Sequence, residues 1–297
     1  MIDEKKHTRN ISKIARIYES NNCLSHASNI LIKENDRLNG MLNKTRSEVF
    51  EDIVSQYVIY ICNMFRNRGF NDDVIRKRVE YLNEYYNFIH YNGYDNIFTS
   101  QGKFRPTILE EFMYILFSEY VEHLKITNHD NNDVIHCGSA KAYTNLYFSA
   151  PRFSAFVASP SIEINVKNQD FAIYRDINII VEGKNKSAKL PVAAIENKTY
   201  LDKTMLDSII STAEKIKQGF PYARFVVVAE NYDVGLDVDP VYSRIDQIYV
   251  LRKCRRKEEW QDIDADIVVR MFNEMKAHIE RPWSDIASKM RNEGVIL

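Results

Sequence analysis

The sequence lacks the features that would place it in a membrane or in a disulfide-stabilised class. None of its apolar runs is long enough to span a bilayer, and the charged first residues, MIDEKKHTRN, do not resemble a signal peptide. Its four cysteines are far apart and form no Cys-x-x-Cys pair. Isolated cysteines are typical of reduced thiols. We therefore expect a cytoplasmic protein that makes no membrane contact.

The sequence also lacks an excess of basic residues, since 40 Lys and Arg stand against 41 Asp and Glu. This balance excludes a uniformly basic coat for nucleic acid, although a binding cleft can still be locally basic. His129, His136 and Cys137 lie close together, but their spacing matches no zinc pattern, and a polar loop is the preferred interpretation. The 297 residues suffice for one large domain or two modest ones.

Proline is absent before Pro106, and the apolar residues of this first part recur at helical spacing. Thr45 and Glu48 have the spacing of a capping box, and Asn71 can cap the next helix. We therefore expect residues 1–100 to form a helical N-terminal region that binds DNA or mediates dimerisation. Several basic residues here either contact phosphates or, as is more common, face solvent. They are Arg66, Arg68, Arg76, Lys77 and Arg78.

A further helix is predicted within residues 103–124, where Thr107 and Glu110 form a second possible capping box. The box would give Glu110 a structural role. Glu111 would then be either an auxiliary acid pointing toward an active site or, as we prefer, an exposed surface glutamate.

The hydrophobic period changes to that of β-strands from about residue 143. Short segments rich in β-branched and aromatic residues predict strands over Tyr143–Phe148, Phe153–Ala158 and Ser161–Val166. A long hairpin follows, with Asp170–Val181 as its first strand and Leu190–Lys198 as the returning strand. Residues 182–189 are its predicted turn.

After the hairpin, Asp202 can cap a helix that ends at Gly219, and two more strands are predicted at Phe225–Ala229 and Gln247–Leu251. A helix that connects a hairpin to an apolar strand implies a parallel crossover. Residues 101–297 are therefore predicted to form an α/β (α+β) domain, with a mixed central sheet flanked by helices.

The returning strand carries a group of charges that suggests a catalytic site. Glu196 and Lys198 lie on one face of it, beside an aspartate of the first strand. Two carboxylates can hold Mg²⁺, and a lysine can orient a water or stabilise a phosphate. A solvated sheet face could give the same spacing. However, the charges end a buried apolar strand, where they are costly without a function.

Two aspartates can supply the second carboxylate, and the position of the turn decides between them. A turn centred near Lys184 and Asn185 puts Glu196 opposite Ile173, between Asp170 and Asp176. We prefer Asp170, because it opens the strand where the chain can bend toward a cleft. Asp176 remains the alternative.

The segment VAAIENKTYLDKTML resembles the glutamate-x-lysine strand and the following helix of type II restriction endonucleases of the PD-(D/E)XK superfamily. It is most similar to the branch that cuts interrupted CTNAG-type sites, and RPTILEEF and NQDFAI resemble other blocks of that branch. The resemblance covers roughly residues 100–255. It implies a restriction-endonuclease-like core and Mg²⁺-dependent, sequence-specific hydrolysis of double-stranded DNA.

Carried onto this sequence, the resemblance implies that Asp170 and Glu196 bind the metal and that Lys198 positions or helps to deprotonate the attacking water. One departure is that Gln169, rather than proline, precedes Asp170.

Cutting two strands requires two active sites, so we expect a homodimer or a paired second subunit. Two alternatives stay open. One is a DNA-binding or partner subunit of a two-chain endonuclease that does not cut alone, and the other is a repair-type nuclease with the same core.

Overall fold

The structure is a computed structural model that describes residues 4–96, 104–127, 134–181, 183–281, 283 and 285–296. Helices dominate its first part, as the sequence predicts. They are α1 (Glu4–Ser20), α2 (Ser25–Leu38), α3 (Lys44–Arg66), α4 (Asp72–Tyr91) and α5 (Pro106–Thr127). The later helices are α6 (Phe153–Ala158), α7 (Lys203–Gly219), α8 (Ala265–Glu280) and the short α9 (Ile286–Ser288).

A five-stranded mixed sheet forms the centre of the second part. Its strands are β1 (Ile135–Ser149), β2 (Ser161–Val181), β3 (Lys184–Leu201), β4 (Arg224–Tyr232) and β5 (Gln247–Val250). They lie in chain order, with antiparallel pairing from β1 to β3 and parallel pairing from β3 to β5. The crossover from β3 to β4 is α7. The predicted fold class, a mixed sheet flanked by helices, is confirmed.

Each face of the sheet supports a separate hydrophobic core. On one face, Ala193 and Ile195 of β3 join a core that extends through α5 and α8 to the N-terminal helices. On the other face, Ala194 packs with the apolar side of α7. The first core crosses residue 100, and the proposed division into domains 1–100 and 101–297 stays a prediction.

The helix starts differ in part from the sequence prediction. Asn43, not Thr45, caps α3, because the helix begins at Lys44 and the Asn43 side chain accepts from the Arg46 N–H at 2.9 Å. Thr107 lies inside the first turn of α5, where its hydroxyl donates to the Phe104 carbonyl at 2.8 Å. The expected capping boxes at these two helices are therefore wrong. The predicted caps of α4 and α7 are confirmed, since Asn71 and Asp202 accept from the main chain as expected.

Two predictions about the β region are also wrong. The segment Phe153–Ala158 is helical. Phe153 and Phe156 are three residues apart, a spacing that puts both on one side of α6, with ring centroids 6.2 Å apart. The hairpin turn is much shorter than expected. Gly183 has a φ of +75°, which glycine adopts at no steric cost, so Val181 can pair directly with Lys184. Residue 182 lies outside the described residues.

Glu111 is neither an exposed glutamate nor part of the active site, so both expectations for it are wrong. It is fully buried and accepts from the Ala27 N–H at 2.8 Å and from the Tyr57 hydroxyl at 2.9 Å. The carboxylate thus satisfies a free N–H at the start of α2 and joins this helix to α3 and α5. Burial raises the pKa of Glu111 to about 7, against the opposing effect of these hydrogen bonds.

Among the described residues, no helix is both long and apolar enough to cross a bilayer.

The raised pKa of Glu111 predicts that the protein loses stability as the pH rises from about 4.5 to 7. Across this range the unfolded chain releases the Glu111 proton while the folded chain retains it, so rising pH favours unfolding. The Glu111 contribution should amount to about 3 kcal/mol, at about 1.4 kcal/mol per pKa unit. Urea unfolding of the wild type and of Glu111→Gln at pH 5 and pH 7.5 should show a smaller pH dependence in the variant.

Glu122→Gln, an exposed substitution on the same helix, is the matched control and should retain the wild-type pH dependence. Equal pH dependence in the wild type and in Glu111→Gln would contradict the prediction.

Candidate active site

The β2–β3 hairpin brings Asp170, Glu196 and Lys198 together. Phe171 pairs with Ile195, so the next residues outward, Asp170 and Glu196, lie side by side. The Lys198 ammonium is 2.7 Å from Glu196 Oε1 and 3.8 Å from Asp170 Oδ2. The three predicted site residues therefore form one cluster.

The main chain of the cluster is held by the same aspartate. The N–H of Asn197 donates to Asp170 Oδ2 at 2.8 Å. Because Asn197 separates Glu196 from Lys198, this bond fixes the strand at the point where both side chains emerge. Oδ2 of Asp170 thus has a structural role, and Oδ1 takes no part in this hydrogen bond.

The pairing of Asp170 with Glu196 depends on an irregularity in β3. Ile173 pairs with Ala193, whereas Tyr174 pairs with Pro191, which leaves Val192 as an extra residue. The turn also lies about two residues earlier than expected. The predicted position of Glu196 opposite Ile173 is therefore wrong, and the observed register places Asp170 rather than Asp176 beside Glu196.

Asp176, the alternative acid, lies away from the cluster. It pairs across the hairpin with Lys189, and its carboxylate is 3.4 Å from His136 Nε2. Its side chain is 57 % exposed, against 29 % for Asp170. This environment is that of a polar contact on the surface of the sheet.

No zinc site accompanies this pair in the described part of the chain. His136 and Cys137 lie in β1 rather than in the expected polar loop, and His129 lies outside the described residues. Within the described ranges, no group of three or more His, Cys, Asp or Glu side chains could hold a metal ion.

The two carboxylates of the cluster disfavour each other's charge. Partial burial raises the pKa of Glu196, and the charge of Asp170 raises it further, while Lys198 opposes both effects. The Glu196 side chain is 18 % exposed and that of Lys198 25 % exposed. Such a pair of half-buried acids is a suitable place for a cation, because a cation would relieve the repulsion.

Two further side chains near the end of β3, Tyr200 and Arg256, were not identified from the sequence. Tyr200 follows Lys198 by two residues on β3, so it faces the same side of the sheet. The guanidinium carbon of Arg256 lies 4.2 Å from the centre of the Tyr200 ring. The alternation along β3 could have indicated Tyr200, but Arg256 comes from a distant loop for which the sequence gives no signal.

The basic residues considered for DNA contact are largely engaged within the protein. Arg78 is buried and lies 2.9 Å from Glu119, so it neither faces solvent nor can reach DNA. Arg76 is 2.6 Å from Asp266, and Lys77 forms an ion pair with Glu80.

An exposed basic stripe on α1 was not identified from the sequence. Arg9, Lys13 and Arg16 follow at helical spacing on the side opposite the buried residues His7 and Ile14. In the described part of the chain, no carboxylate oxygen lies within 4.0 Å of these three cations.

Comparisons with known proteins define the class to which this arrangement belongs. The structure is similar to one chain of the restriction enzyme BbvCI, solved as the native A2B2 tetramer at low resolution. The TM-score is 0.65 at 18 % sequence identity, and the match covers 89 % of this chain and 98 % of that chain. At this identity the likeness establishes the fold alone, and that fold is a restriction endonuclease fold. No curated protein sequence matches the chain.

The sequence itself identifies the family. The model of the Bpu10I restriction endonuclease family matches residues 101–263, more than half of the chain. The chain therefore belongs to the Bpu10I restriction endonuclease family. It is a type II restriction endonuclease, a site-specific deoxyribonuclease, which confirms the enzyme class that the resemblance implied.

Proposed function

We propose that this endonuclease hydrolyses phosphodiester bonds at a specific sequence of double-stranded DNA, in a Mg²⁺-dependent reaction centred on Asp170, Glu196 and Lys198. The observation that carries the proposal is the convergence of these three side chains at the end of β3. Asp170 and Glu196 would be the metal ligands, and Lys198 would act on the attacking water.

The donor set fits a hard divalent cation. Both ligands are carboxylates, which Mg²⁺ prefers, and Mg²⁺ is commonly bound by one or two carboxylates together with phosphate oxygens and waters. The raised pKa of Glu196 reflects burial and the nearby Asp170 charge, both of which a bound cation would offset. When bound, Mg²⁺ would polarise the scissile phosphate and lower the pKa of a water.

The remaining chemistry falls to Lys198. One of its three N–H bonds is directed to Glu196 Oε1 at 2.7 Å, which holds the ammonium beside the carboxylates. The other two are available to orient the attacking water or to stabilise charge that develops on the phosphate. The water oxygen would bond to phosphorus as the bond to the 3′ oxygen breaks. The products would be a 5′-phosphate and a 3′-hydroxyl, as the family resemblance implies.

The proposal includes a second active site, because one cluster can cut one strand at a time. A second copy of this chain or a different second chain can supply it. The A2B2 composition of the similar BbvCI assembly supports the second arrangement. In that arrangement this chain is one partner of a two-chain endonuclease.

The proposed place of action is the cytoplasm. All four cysteines are free, which suits a reducing compartment.

The N-terminal region is proposed to bind the DNA backbone through the α1 basic stripe. Arg9, Lys13 and Arg16 are exposed and span about 10 Å along the helix, at 1.5 Å per residue. Duplex DNA presents roughly one negative charge per 1.7 Å of axis, so such a stripe can meet several phosphates. Dimerisation through this region is the alternative.

Glu196→Gln and Lys198→Ala should each reduce the rate of DNA cleavage in Mg²⁺ by about 10²–10³-fold or more, because each removes charge that acts on the reacting phosphate. Asp170→Asn should have a similar effect. Cleavage kinetics on plasmid DNA would measure these reductions, and thermal unfolding would verify the fold of each variant. Titration calorimetry with Mn²⁺ should also show weaker metal binding by Glu196→Gln.

Asp176→Asn is the matched control and should cut at the wild-type rate. Wild-type cutting by both Glu196→Gln and Lys198→Ala would overturn the proposal. Loss of cutting in Asp176→Asn but not in Asp170→Asn would reassign the first acid.

The purified chain should linearise supercoiled plasmid only if it forms a dimer of its own, with twice its mass of 34.8 kDa in sedimentation. If it needs a different partner, it should nick the plasmid or leave it intact until that partner is added. A monomer that linearises the plasmid alone would contradict the two-site arrangement. A smear instead of discrete fragments would contradict sequence specificity.

Replacing Arg9, Lys13 and Arg16 together with Gln should weaken metal-free binding to a labelled DNA duplex and flatten its salt dependence. The slope of log K against log salt should fall by about 0.9 for each phosphate that the variant no longer binds. The double variant of Arg76→Gln and Lys77→Gln, whose cations are already ion-paired, is the control. An unchanged slope in the triple variant would exclude DNA binding by α1, and a shift in sedimentation would favour dimerisation.

A further inference from the structure

Arg256 is held against the Tyr200 ring at the end of β3, the strand that carries Glu196 and Lys198. Tyr200 lies two residues beyond Lys198 on the same face of β3, and the Arg256 guanidinium carbon is 4.2 Å from the centre of its ring. Arg256 is exposed, and within the described residues no carboxylate oxygen lies within 4.0 Å of its guanidinium. Its charge is therefore oriented by the ring rather than neutralised by an acid.

The loop that carries Arg256 is fastened to the end of β4. The Tyr232 N–H donates to the Cys254 carbonyl at 3.2 Å, and the Asn231 side chain donates to Cys254 Sγ at 3.1 Å. The Arg256 N–H itself donates to Asp233 Oδ1 at 3.0 Å. These bonds fix the main chain of the loop, and the contact with the Tyr200 ring orients the Arg256 side chain.

The position of this charge at the end of β3 suits a nucleic-acid strand. Tyr200, against whose ring the guanidinium lies, is about 7 Å from Lys198 along β3, because residues two apart on a β-strand are separated by that distance. Duplex DNA presents closely spaced phosphates along each strand, so a strand whose scissile phosphate lies at Lys198 would bring a neighbouring phosphate toward Arg256. The planar guanidinium can bind two phosphate oxygens at once, which a lysine cannot do with the same geometry.

We propose that Arg256, supported by the Tyr200 ring, forms a phosphate-binding subsite that positions the DNA strand next to the scissile phosphate. This inference rests on the proposed active site at Asp170, Glu196 and Lys198. In it, Arg256 is a positioning residue that does not touch the reacting atoms.

Binding of a fluorescently labelled DNA duplex without divalent metal tests the subsite directly. Arg256→Gln should bind roughly three- to tenfold more weakly than the wild type, and its slope of log K against log salt should be smaller by about 0.9. Arg270→Gln, which removes an exposed but ion-paired arginine on α8, should bind as the wild type does. An unchanged affinity and slope in Arg256→Gln would overturn the proposal.

Steady-state cleavage in Mg²⁺ separates positioning from catalysis. Arg256→Gln should raise KM by about the same factor while kcat at saturating DNA stays near the wild-type value. A fall in kcat without a change in KM would mean that Arg256 acts on the reacting atoms, and would overturn the positioning role.

The platform role of Tyr200 is tested by a double-mutant cycle. Tyr200→Leu should weaken metal-free binding less than Arg256→Gln does, and it should have no further effect once Arg256 is replaced. Equal weakening by Tyr200→Leu in both backgrounds would show that the ring acts independently of Arg256.

These experiments distinguish failure of the subsite from failure of the proposed function. A wild-type protein that does not cut in Mg²⁺, with or without a partner, would defeat the proposed function. The metal-free salt slope would still report on Arg256. Normal cutting with an unchanged slope in Arg256→Gln would defeat the subsite alone.

Discussion

The hydrogen bond from the Asn197 N–H to the Asp170 carboxylate links the fold of this enzyme to its proposed active site. The regular β2–β3 pairing ends at Phe171 and Ile195. Beyond it, the Asn197 N–H donates to the side chain of Asp170 instead of to a main-chain carbonyl. A half-buried N–H must have an acceptor, so the aspartate completes the sheet while it faces Glu196. Replacing Asp170 with Asn retains an acceptor oxygen, whereas Ala would remove it and disturb the strand as well as the chemistry.

The two faces of the sheet carry polar groups with different roles. Glu196, Lys198 and Tyr200 share the face that packs against α7. On the opposite face, Glu230 is fully buried between two arginines, with Arg105 at 3.1 Å and Arg252 at 3.0 Å. Removing one partner of such a buried ion pair strongly destabilises the protein. The intact pair is nevertheless weak evidence of net stabilisation, because burying the charges costs desolvation free energy.

The surroundings of that buried group give it an architectural role. The Arg252 guanidinium also lies 3.8 Å from the Trp260 ring and 5.0 Å from the Tyr86 ring of α4. Asn83 of α4 exchanges two hydrogen bonds with the main chain of Ile263, at 2.8 and 2.9 Å. The helical region is thereby attached to the far end of β4 by polar contacts in addition to the shared core. The N-terminal helices and the sheet therefore pack against each other, whichever of them contacts the DNA bases.

Much of the fold follows from patterns that the sequence displays. Helical periodicity without proline predicted a helical N-terminal region and, within it, the helices that became α3 and α4, and the change of period marked the sheet. The glutamate and lysine of β3 were identifiable because strand alternation puts them on one face after a buried apolar run. Alternation alone could not decide between Asp170 and Asp176, because that choice depends on the extra residue Val192 and on a turn that Gly183 makes shorter than expected.

The residues that the sequence did not reveal are those whose roles depend on distant parts of the chain. Glu111 is buried because it satisfies the start of α2, more than eighty residues earlier, and nothing in its own helix marks it as different from its neighbour Glu110. Arg256 lies in a short charged segment whose sequence is typical of solvated surface. Its position becomes apparent only in the folded chain, where the loop is hydrogen-bonded to Asp233 just after β4. Local patterns determine elements, whereas these roles arise only when the elements are assembled.

The proposed active site works against folding. Glu196 shares a half-buried space with Asp170, and its raised pKa means that burial and the Asp170 charge disfavour its ionised form. The cores on either side of β3 must therefore hold the two carboxylates together against their repulsion. Any cation that binds the folded cluster but not the unfolded chain would offset that repulsion and stabilise the protein by an amount that rises with the logarithm of its affinity. The repulsion between Glu196 and Asp170 thus favours both cation binding and the contact with Lys198. The same contact that lowers stability would therefore favour the metal binding on which the proposed chemistry depends.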